Sequence, residues 1–469
     1  MRFGKNPRRT PDPEAGRTRD EVGPTVKGTT PTAMAPGVHP RPMWSLRPHT
    51  DRQAGDAVVS NFMLHWFPAK VSKASLDWNY SFWLGTVSAA LLLLTILSGL
   101  PLLFLYVPSV ERAYASIKDI EFAVTFGSWI RSVHRMSAHL MVAVVFLHLA
   151  RVFLTGAYKN GIGQGQAREW NWVLGVVMLL LTLLLSFTGY LLPWDQLAYW
   201  AVTVGTNIAS SIPFIGPGVR ELLLGGRTID QPTLIRFYVL HVIVLPGAVG
   251  VLFAYHMWRV RKDGGLARAD RAGRLQAATP TSPVATKTYT LLGVARGTAP
   301  AVRTTSLEAP ETTVNAVPDL TRRTAIVTLG TIAVLSILSV LMRSPLEEPA
   351  NALVTPNPAK APWYFLWLQE IVTDTTVHIG SFTINGAFIG GVILPGILVT
   401  LLLVWPWIDR SPAAAAGVWF PRSRRNQNIA FLVLTLLIII FTLIGTFMRG
   451  PYWQFYWPWV TWPEIPTRL

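Results

Sequence analysis

Seven stretches of this chain, at about 79–106, 129–154, 170–192, 233–258, 324–342, 386–406 and 428–448, are long, apolar and nearly free of charge. A helix needs about 20 such residues to cross a bilayer, so the pattern predicts seven transmembrane helices in an all-α integral membrane protein. The segments between them read differently. Residues 1–60 are rich in Pro, Arg, Thr and Gly with few large apolar side chains, which predicts a disordered extension. The stretch from Asn61 to Leu76 mixes Phe62, Leu64, Trp66 and Phe67 with Lys70 and Lys73, as expected of a helix lying along a membrane surface. Residues 263–320 are again poor in bulky apolar residues and read as a linker. The linker divides a half with the surface helix and four spans, 61–262, from a half with three spans, 321–469, and no internal repeat relates them.

Composition agrees with a membrane protein: 51% of residues are hydrophobic and 14% charged, with 19 tryptophans, and the mean hydropathy is +0.36. There is no cysteine, which removes disulfides, iron–sulfur ligation and thioether attachment within this subunit. The first residues carry charge but no apolar core after it, so no cleavable signal peptide is expected. Lys and Arg concentrate before the first span, in 259–323 and in 407–427 (Arg410, Arg422, Arg424, Arg425), whereas 107–128, 193–232 and 343–385 are balanced or acidic. The positive-inside rule puts the first set in the cytoplasm, with the N-terminus there and the aromatic tail from Arg449 to Leu469 outside. No nucleic-acid partner is expected.

Two spans carry paired histidines: His134 and His148, 14 residues apart, and His241 and His256, 15 apart. In an α-helix these separations are about 21 Å and about 22 Å of rise, so each pair nearly spans a membrane. Fourteen steps return to within about 40° of the starting face and fifteen to within about 60°, so each helix shows both imidazoles to one side. Two such helices facing each other hold two stacked metal centres, each ligated axially by one histidine from each helix. Bis-histidine haem suits this donor set, because neutral imidazoles bind iron and no thiolate is present. A lone intramembrane histidine is often simply packed or hydrogen-bonded, but matched spacing in four is not explained that way. His139 lies about 140° around the helix from His134 and is read as a non-ligand. His39, His49, His65 and His378 fall outside the spans.

Glycines repeat the register. Gly85 and Gly99 in the first span, and Gly175 and Gly189 in the third, are each 14 residues apart, and a helix can approach a flat macrocycle closely only where no side chain intervenes. Because successive spans alternate in direction, His134, His241, Gly99 and Gly189 belong to an outer haem. His148, His256, Gly85 and Gly175 belong to an inner one. Arg131, Arg135 and Arg151 flank the histidines, where an arginine costs about 2.5–3.5 kcal/mol unless it meets the interface or a counter-charge. Haem propionates would supply that charge; ordinary snorkelling at the helix ends is the other reading.

At these residues the chain resembles cytochrome b of quinol:cytochrome c oxidoreductases, most closely the b6f type. The resemblance rests on Ser128-Trp129-Ile130-Arg131-Ser132-Val133-His134-Arg135, Thr188-Gly189-Tyr190-Leu191-Leu192-Pro193-Trp194-Asp195-Gln196 and Arg236-Phe237-Tyr238-Val239-Leu240-His241. It covers residues 61–262 strongly and 321–450 more loosely. The 13 and 14 residues intervening within the two histidine pairs match the b6f pattern, and the second half is similar to the three-span subunit IV, here fused to the first. The resemblance implies a four-helix dihaem bundle followed by a three-helix domain, with two non-covalent b haems, in a bacterial cell membrane.

Two departures matter. Trp83 stands where the b6f type carries the cysteine of an extra haem, so no covalent haem is expected. The family's Pro-Glu-Trp-Tyr motif at its quinol-oxidation site stands here as Ala361-Pro362-Trp363-Tyr364, without the glutamate. Quinol oxidation releases two protons, and an acceptor must lie within hydrogen-bond reach or one water away. Glu370 and Asp195 are the outer-loop carboxylates available, with solvated loop charge as the alternative for each. Arg261, Lys262 and Asp263 follow His256 at the positions of the family's quinone-reduction site, where Lys262 reads equally well as a positive-inside anchor.

The mechanism implied is electron bifurcation. Quinol near Tyr364 gives one electron to a Rieske iron–sulfur protein, and so towards a c-type cytochrome, while the other crosses the membrane to reduce quinone near Arg261. The Rieske protein and the cytochrome must be separate subunits, and the family assembly is a homodimer in lipid. A dihaem anchor of another quinone-linked dehydrogenase is the alternative, though such anchors lack the Pro-Trp-Asp turn and the Trp363-Tyr364 loop. A transporter without redox cofactors, coupling through Asp195 and Glu370, is a third.

Overall fold

The computed structural model describes residues 70–160, 167–263, 265–266, 313–380, 382–412 and 415–463. The extension 1–60, residues 61–69 of the expected surface helix, the linker from 267 to 312, and His39, His49 and His65 lie outside the described residues. In chain order the main helices are α1 (Leu84–Leu105), α2 (Ala113–Phe122), α3 (Gly127–Leu154), α4 (Arg168–Tyr190), α5 (Gln196–Ser210), α6 (Gly216–Leu224), α7 (Gln231–Lys262), α8 (Ala316–Leu341), α9 (Trp363–Asp374), α10 (Gly386–Ile408) and α11 (Arg422–Met448). Among the described residues α1, α3, α4, α7, α8, α10 and α11 are long and apolar enough to cross a membrane.

Two of these helices are interrupted in the same way. A π-turn at Leu240–Val244 precedes Pro246 in α7, and another at Ile389–Ile393 precedes Pro395 in α10. Proline has no N–H to donate and its ring crowds the preceding turn, so the backbone admits one extra residue there and the helix continues.

The stretch from Lys70 departs from the expected surface helix. Lys70–Ser72 forms strand β1, antiparallel to β2 (Thr313–Asn315), with Val71 opposite Val314. β-Branched residues facing each other favour the extended pairing. The remaining strands, β3 (Val377–Ile379) and β4 (Phe382–Ile384), form a hairpin between α9 and α10.

The two halves are joined by core and by polar ties. Leu335 of α8 is buried with Leu91 and Leu94 of α1 and Val133, Met141 and Val144 of α3. At the far end of α3, Phe153 stacks on Phe431 of α11 with ring centres 4.3 Å apart. The Pro193-Trp194-Asp195 turn makes a third junction. Asp195 caps α5 by accepting from the Ala198 amide at 2.9 Å and also accepts from the Glu347 amide at 3.3 Å.

A buried network completes the union. Arg424, fully enclosed, donates to Asp409 at 3.1 Å, to the Tyr158 hydroxyl at 2.6 Å and to the Phe153 carbonyl at 2.8 Å, while Tyr158 donates to Asp409 at 2.6 Å. Burial pushes the Asp409 carboxyl up, but hydrogen bonds from Ser411 and Tyr158 and the Lys159 charge outweigh it and hold the group below the ordinary carboxylate range. Its contribution to stability is therefore present at neutral pH and lost as pH falls through that depressed value. Replacing Arg424 with Leu leaves a buried carboxylate without its main partner, which costs about 3–5 kcal/mol. Thermal denaturation of the detergent-solubilised protein should show a large fall in midpoint, and an unchanged midpoint would mean the network is not holding the halves together.

Candidate redox centres and outer-loop cavity

The four spaced histidines meet in two pairs. His134 of α3 faces His241 of α7 with ring centres 6.1 Å apart and planes at 79°, and His148 faces His256 at 6.5 Å and 78°. Two imidazoles on opposite sides of one metal, with bonds of about 2 Å and ring nitrogens about 1 Å from their centres, stand roughly 6 Å apart. Among the described residues no group of three His, Cys, Asp or Glu side chains gathers as a metal site. The pairs thus suit a metal whose remaining ligands come from a macrocycle, as in haem.

The π-turn explains the unequal spacing. It spans Leu240–Val244, taking in His241, and widens the helix on the side towards His256, so fifteen residues in α7 do the work of fourteen in α3. Nδ1 of His134 lies 3.0 Å from the Thr95 carbonyl, and Nδ1 of His241 lies 3.0 Å from that of Leu185. Each carbonyl fixes the proton on Nδ1 and leaves Nε2 free to bind metal. His256 approaches the Asn171 backbone without reaching hydrogen-bond geometry.

Glycine makes room for the rings. A Cβ on Gly99 would come 3.2 Å from His134 and one on Gly85 3.3 Å from His148, while one on Gly189 would overlap His241. Gly175 meets no atom within 4 Å. Trp83 heads α1, buried, with its indole nitrogen unpartnered; Arg261 also has a buried nitrogen without a partner. Unpaired buried donors at this end of the bundle suit an acidic group such as a haem propionate.

The flanking arginines have partners in the protein. Arg131 pairs with Glu121 at 2.9 Å and donates to the Ser344 and Pro345 carbonyls at 2.9 and 2.6 Å. Glu121 is thus a counter-charge that the sequence pattern did not suggest. Arg135 reaches His139 and the Pro345 carbonyl at 3.4 Å each, and Arg151 lies 4.6 Å over the Tyr80 ring.

Of the residues expected at the second quinone site, Asp263 is buried and paired with Arg259 at 3.1 Å. It also accepts from the Ala167 amide at 3.3 Å, and its carbonyl accepts from Arg168 at 2.7 Å, so it ties the end of α7 to the start of α4. Lys262 lies 5.1 Å over Trp258.

A cavity of about 350 Å³ opens between α4, α5 and the segment leading into α9. Phe187, Trp200, Gly205 and Phe365 give it apolar walls, and Tyr190, Lys360 and Gln369 bring polar atoms. Its size and lining fit one flat apolar ligand. Tyr190 follows Gly189, so the cavity adjoins the His134–His241 pair. Gln369 accepts from the Ala361 amide and donates to the Ala359 carbonyl, at 2.9 Å each, which shapes the Ala361-Pro362 wall.

Neither Glu370 nor Asp195 lines this cavity. Glu370 is 1% exposed and accepts from Arg449 Nε at 3.0 Å on both oxygens, with a further bond from Nη2 at 2.5 Å. Tyr364 is buried beside the cavity residue Phe365, and burial pushes its phenol up to about 12. The sequence pattern left Tyr190, Lys360, Gln369 and Arg449 without roles, although Tyr190 lies inside the Thr188–Gln196 motif.

Comparison with known proteins agrees with this geometry. Residues 70–264 match the family Cytochrome b/b6/petB and residues 349–461 match Cytochrome b(C-terminal)/b6/petD. Cytochrome b6 of Synechococcus elongatus is 42% identical over 186 residues, covering 40% of this chain and 84% of that protein. Cytochrome b6 of Prochlorococcus marinus is also 42% identical over 186 residues, covering 40% of this chain and 83% of the relative. A solved "Hyperthermophilic respiratory Complex III" chain shares the fold, with a TM-score of 0.61 and 23% identity over 81% of this chain and 86% of that one. The chain therefore belongs to the cytochrome b/b6 family of haem-binding membrane proteins, with b6-like and subunit IV-like halves in one polypeptide.

Proposed function

We propose that this chain is the dihaem subunit of a quinol:cytochrome c oxidoreductase that oxidises quinol at the outer membrane face. The observation that carries the reading is the cavity of about 350 Å³ beside the upper of two stacked imidazole pairs. His134 and His241 hold the outer haem, and His148 and His256 the inner one. When bound, the haems supply two one-electron sites in series across the bilayer. Arg131, Arg135 and Arg151 offset propionate charge, and Gly85, Gly99, Gly175 and Gly189 give the macrocycles room. Arg261 and Lys262 serve the cytoplasmic quinone site, with Asp263 anchoring that turn. The partners are a Rieske iron–sulfur protein and a c-type cytochrome in a homodimeric, proton-translocating complex of a bacterial membrane.

In the outer cavity the quinol ring lies against Phe187 and Phe365, and its hydroxyl meets the Tyr190 hydroxyl. The protein must orient that group, exclude bulk water and receive a proton. Tyr190 is suited to relay the proton, since Arg135, Asp195 and Glu347 are its charged neighbours. Glu370, the other carboxylate considered from sequence, is better suited to bracing α9 through Arg449, because an arginine-bound carboxylate is a poor base.

Replacing any one of His134, His148, His241 or His256 with Ala should lower the haem content of the purified complex from two towards one. Retention of two normal low-spin haems would exclude that ligand assignment. Denaturing electrophoresis stained for haem peroxidase should leave this polypeptide unstained, since Trp83 offers no thiol; a stained band at its mass would reveal a covalent link. Tyr190→Phe should slow quinol oxidation about 10²-fold, the low end of a proton-transfer contribution, at unchanged haem content. Glu370→Gln should instead reduce thermal stability more than turnover per haem. The reverse ranking in steady-state kinetics would return the acceptor role to Glu370.

A further inference from the structure

His139 is an intramembrane histidine outside both imidazole pairs, and such residues are rarely retained without a partner or a task. Its ring sits against the Trp363-Tyr364 turn: Trp363 Nε1 donates to His139 Nδ1 at 3.1 Å, and the Tyr364 ring centre lies 5.6 Å away. An indole nitrogen can only donate, so Nδ1 must be the acceptor and the ring's proton must be on Nε2. Arg135 Nε also points at Nε2, at 3.4 Å, but a neutral ring accepts at one nitrogen only and the Trp363 bond is the shorter, so Arg135 is a contact there and not a bond. With Nδ1 accepting from Trp363 and Nε2 carrying the proton, His139 has no lone pair free for a quinol proton. It is built to hold something, not to act as a base.

What it holds is the start of α9. Pro362, the residue before Trp363, makes no side-chain cap, and Pro362 and Phe365 are both cavity walls. Gln369 ties down the backbone on the Ala361 side of Pro362, and the Trp363 indole is the tie on the other side.

We propose that His139 is a positioning residue of the cavity: by accepting a hydrogen bond from Trp363 it sets the Pro362–Phe365 wall against which quinol binds. This rests on the quinol-oxidising reading above. The test uses the intact complex with a soluble short-chain quinol. His139→Leu should raise KM about 5-fold, the scale of one lost hydrogen bond, with kcat within about twofold and haem content unchanged. Trp363→Phe should reproduce the effect, the double variant should add nothing further, and His139→Gln, which restores an acceptor, should recover most of the parental KM. Additive single effects, or a Gln variant as impaired as the Leu variant, would overturn the assignment while leaving parental quinol oxidation intact. A parental complex that carries both haems yet oxidises no quinol would instead overturn the functional reading, and this inference with it.

Discussion

The molecule is organised by the requirement that two helices present imidazoles to each other at two depths in one register. A helix carrying ligands fourteen residues apart and one carrying them fifteen apart would drift by about 100° relative to each other if both were regular. The π-turn at Leu240–Val244 removes that mismatch. Pro246 makes the turn favourable by withholding a donor, so a backbone irregularity encoded by one residue sets the geometry of both sites. The glycines of α1 and α4 follow from the same constraint, since larger residues at Gly99 or Gly189 would push the rings out of opposition.

The second constraint is charge within an apolar medium. Arg131 with Glu121, Arg259 with Asp263, Arg424 with Asp409 and Arg449 with Glu370 each place a guanidinium on a carboxylate. Three of these pairs are local in sequence and only Arg449–Glu370 spans 79 residues, and leaving one partner alone costs more than the intact pair contributes. No pair joins one half to the other, and it is the remaining donors of Arg131, on the Ser344 and Pro345 carbonyls, and of Arg424, on the Phe153 carbonyl and the Tyr158 hydroxyl, that tie the halves together. Asp195, between α4 and α5 of the first half, adds a tie to the 347 loop of the second by accepting from the Glu347 amide.

How much of this was legible in the sequence depended on the range of each interaction. The seven spans were readable because burial in lipid demands uninterrupted apolar length, and the histidine pairs because helical periodicity fixes which residues share a face. Helical angle alone separates His139 from the two histidine pairs, but its partner Trp363 is 224 residues away and no periodicity connects them. Glu370 is illegible for the same reason: the sequence shows a loop carboxylate, and its partner Arg449 stands 79 residues on. The strand at Lys70–Ser72 escaped because its pairing residues lie beyond a linker.

The cavity shows why these long-range partners bear on chemistry. With both carboxylates engaged elsewhere, its polar side chains are a phenol, an amide, an amine and an indole, of which the Gln369 amide is bound to its own wall, the Lys360 amine to the Thr446 carbonyl at 2.6 Å and the Trp200 indole to the Val354 carbonyl at 3.0 Å. Such a lining binds a neutral aromatic ligand readily but has no resident negative charge to draw a proton out. Arg135 and Asp195 are charged neighbours of Tyr190 but stand outside the lining. The Gln369 and Trp363 bonds on either side of Pro362 therefore fix the shape of the cavity, and shape rather than charge is what selects its ligand.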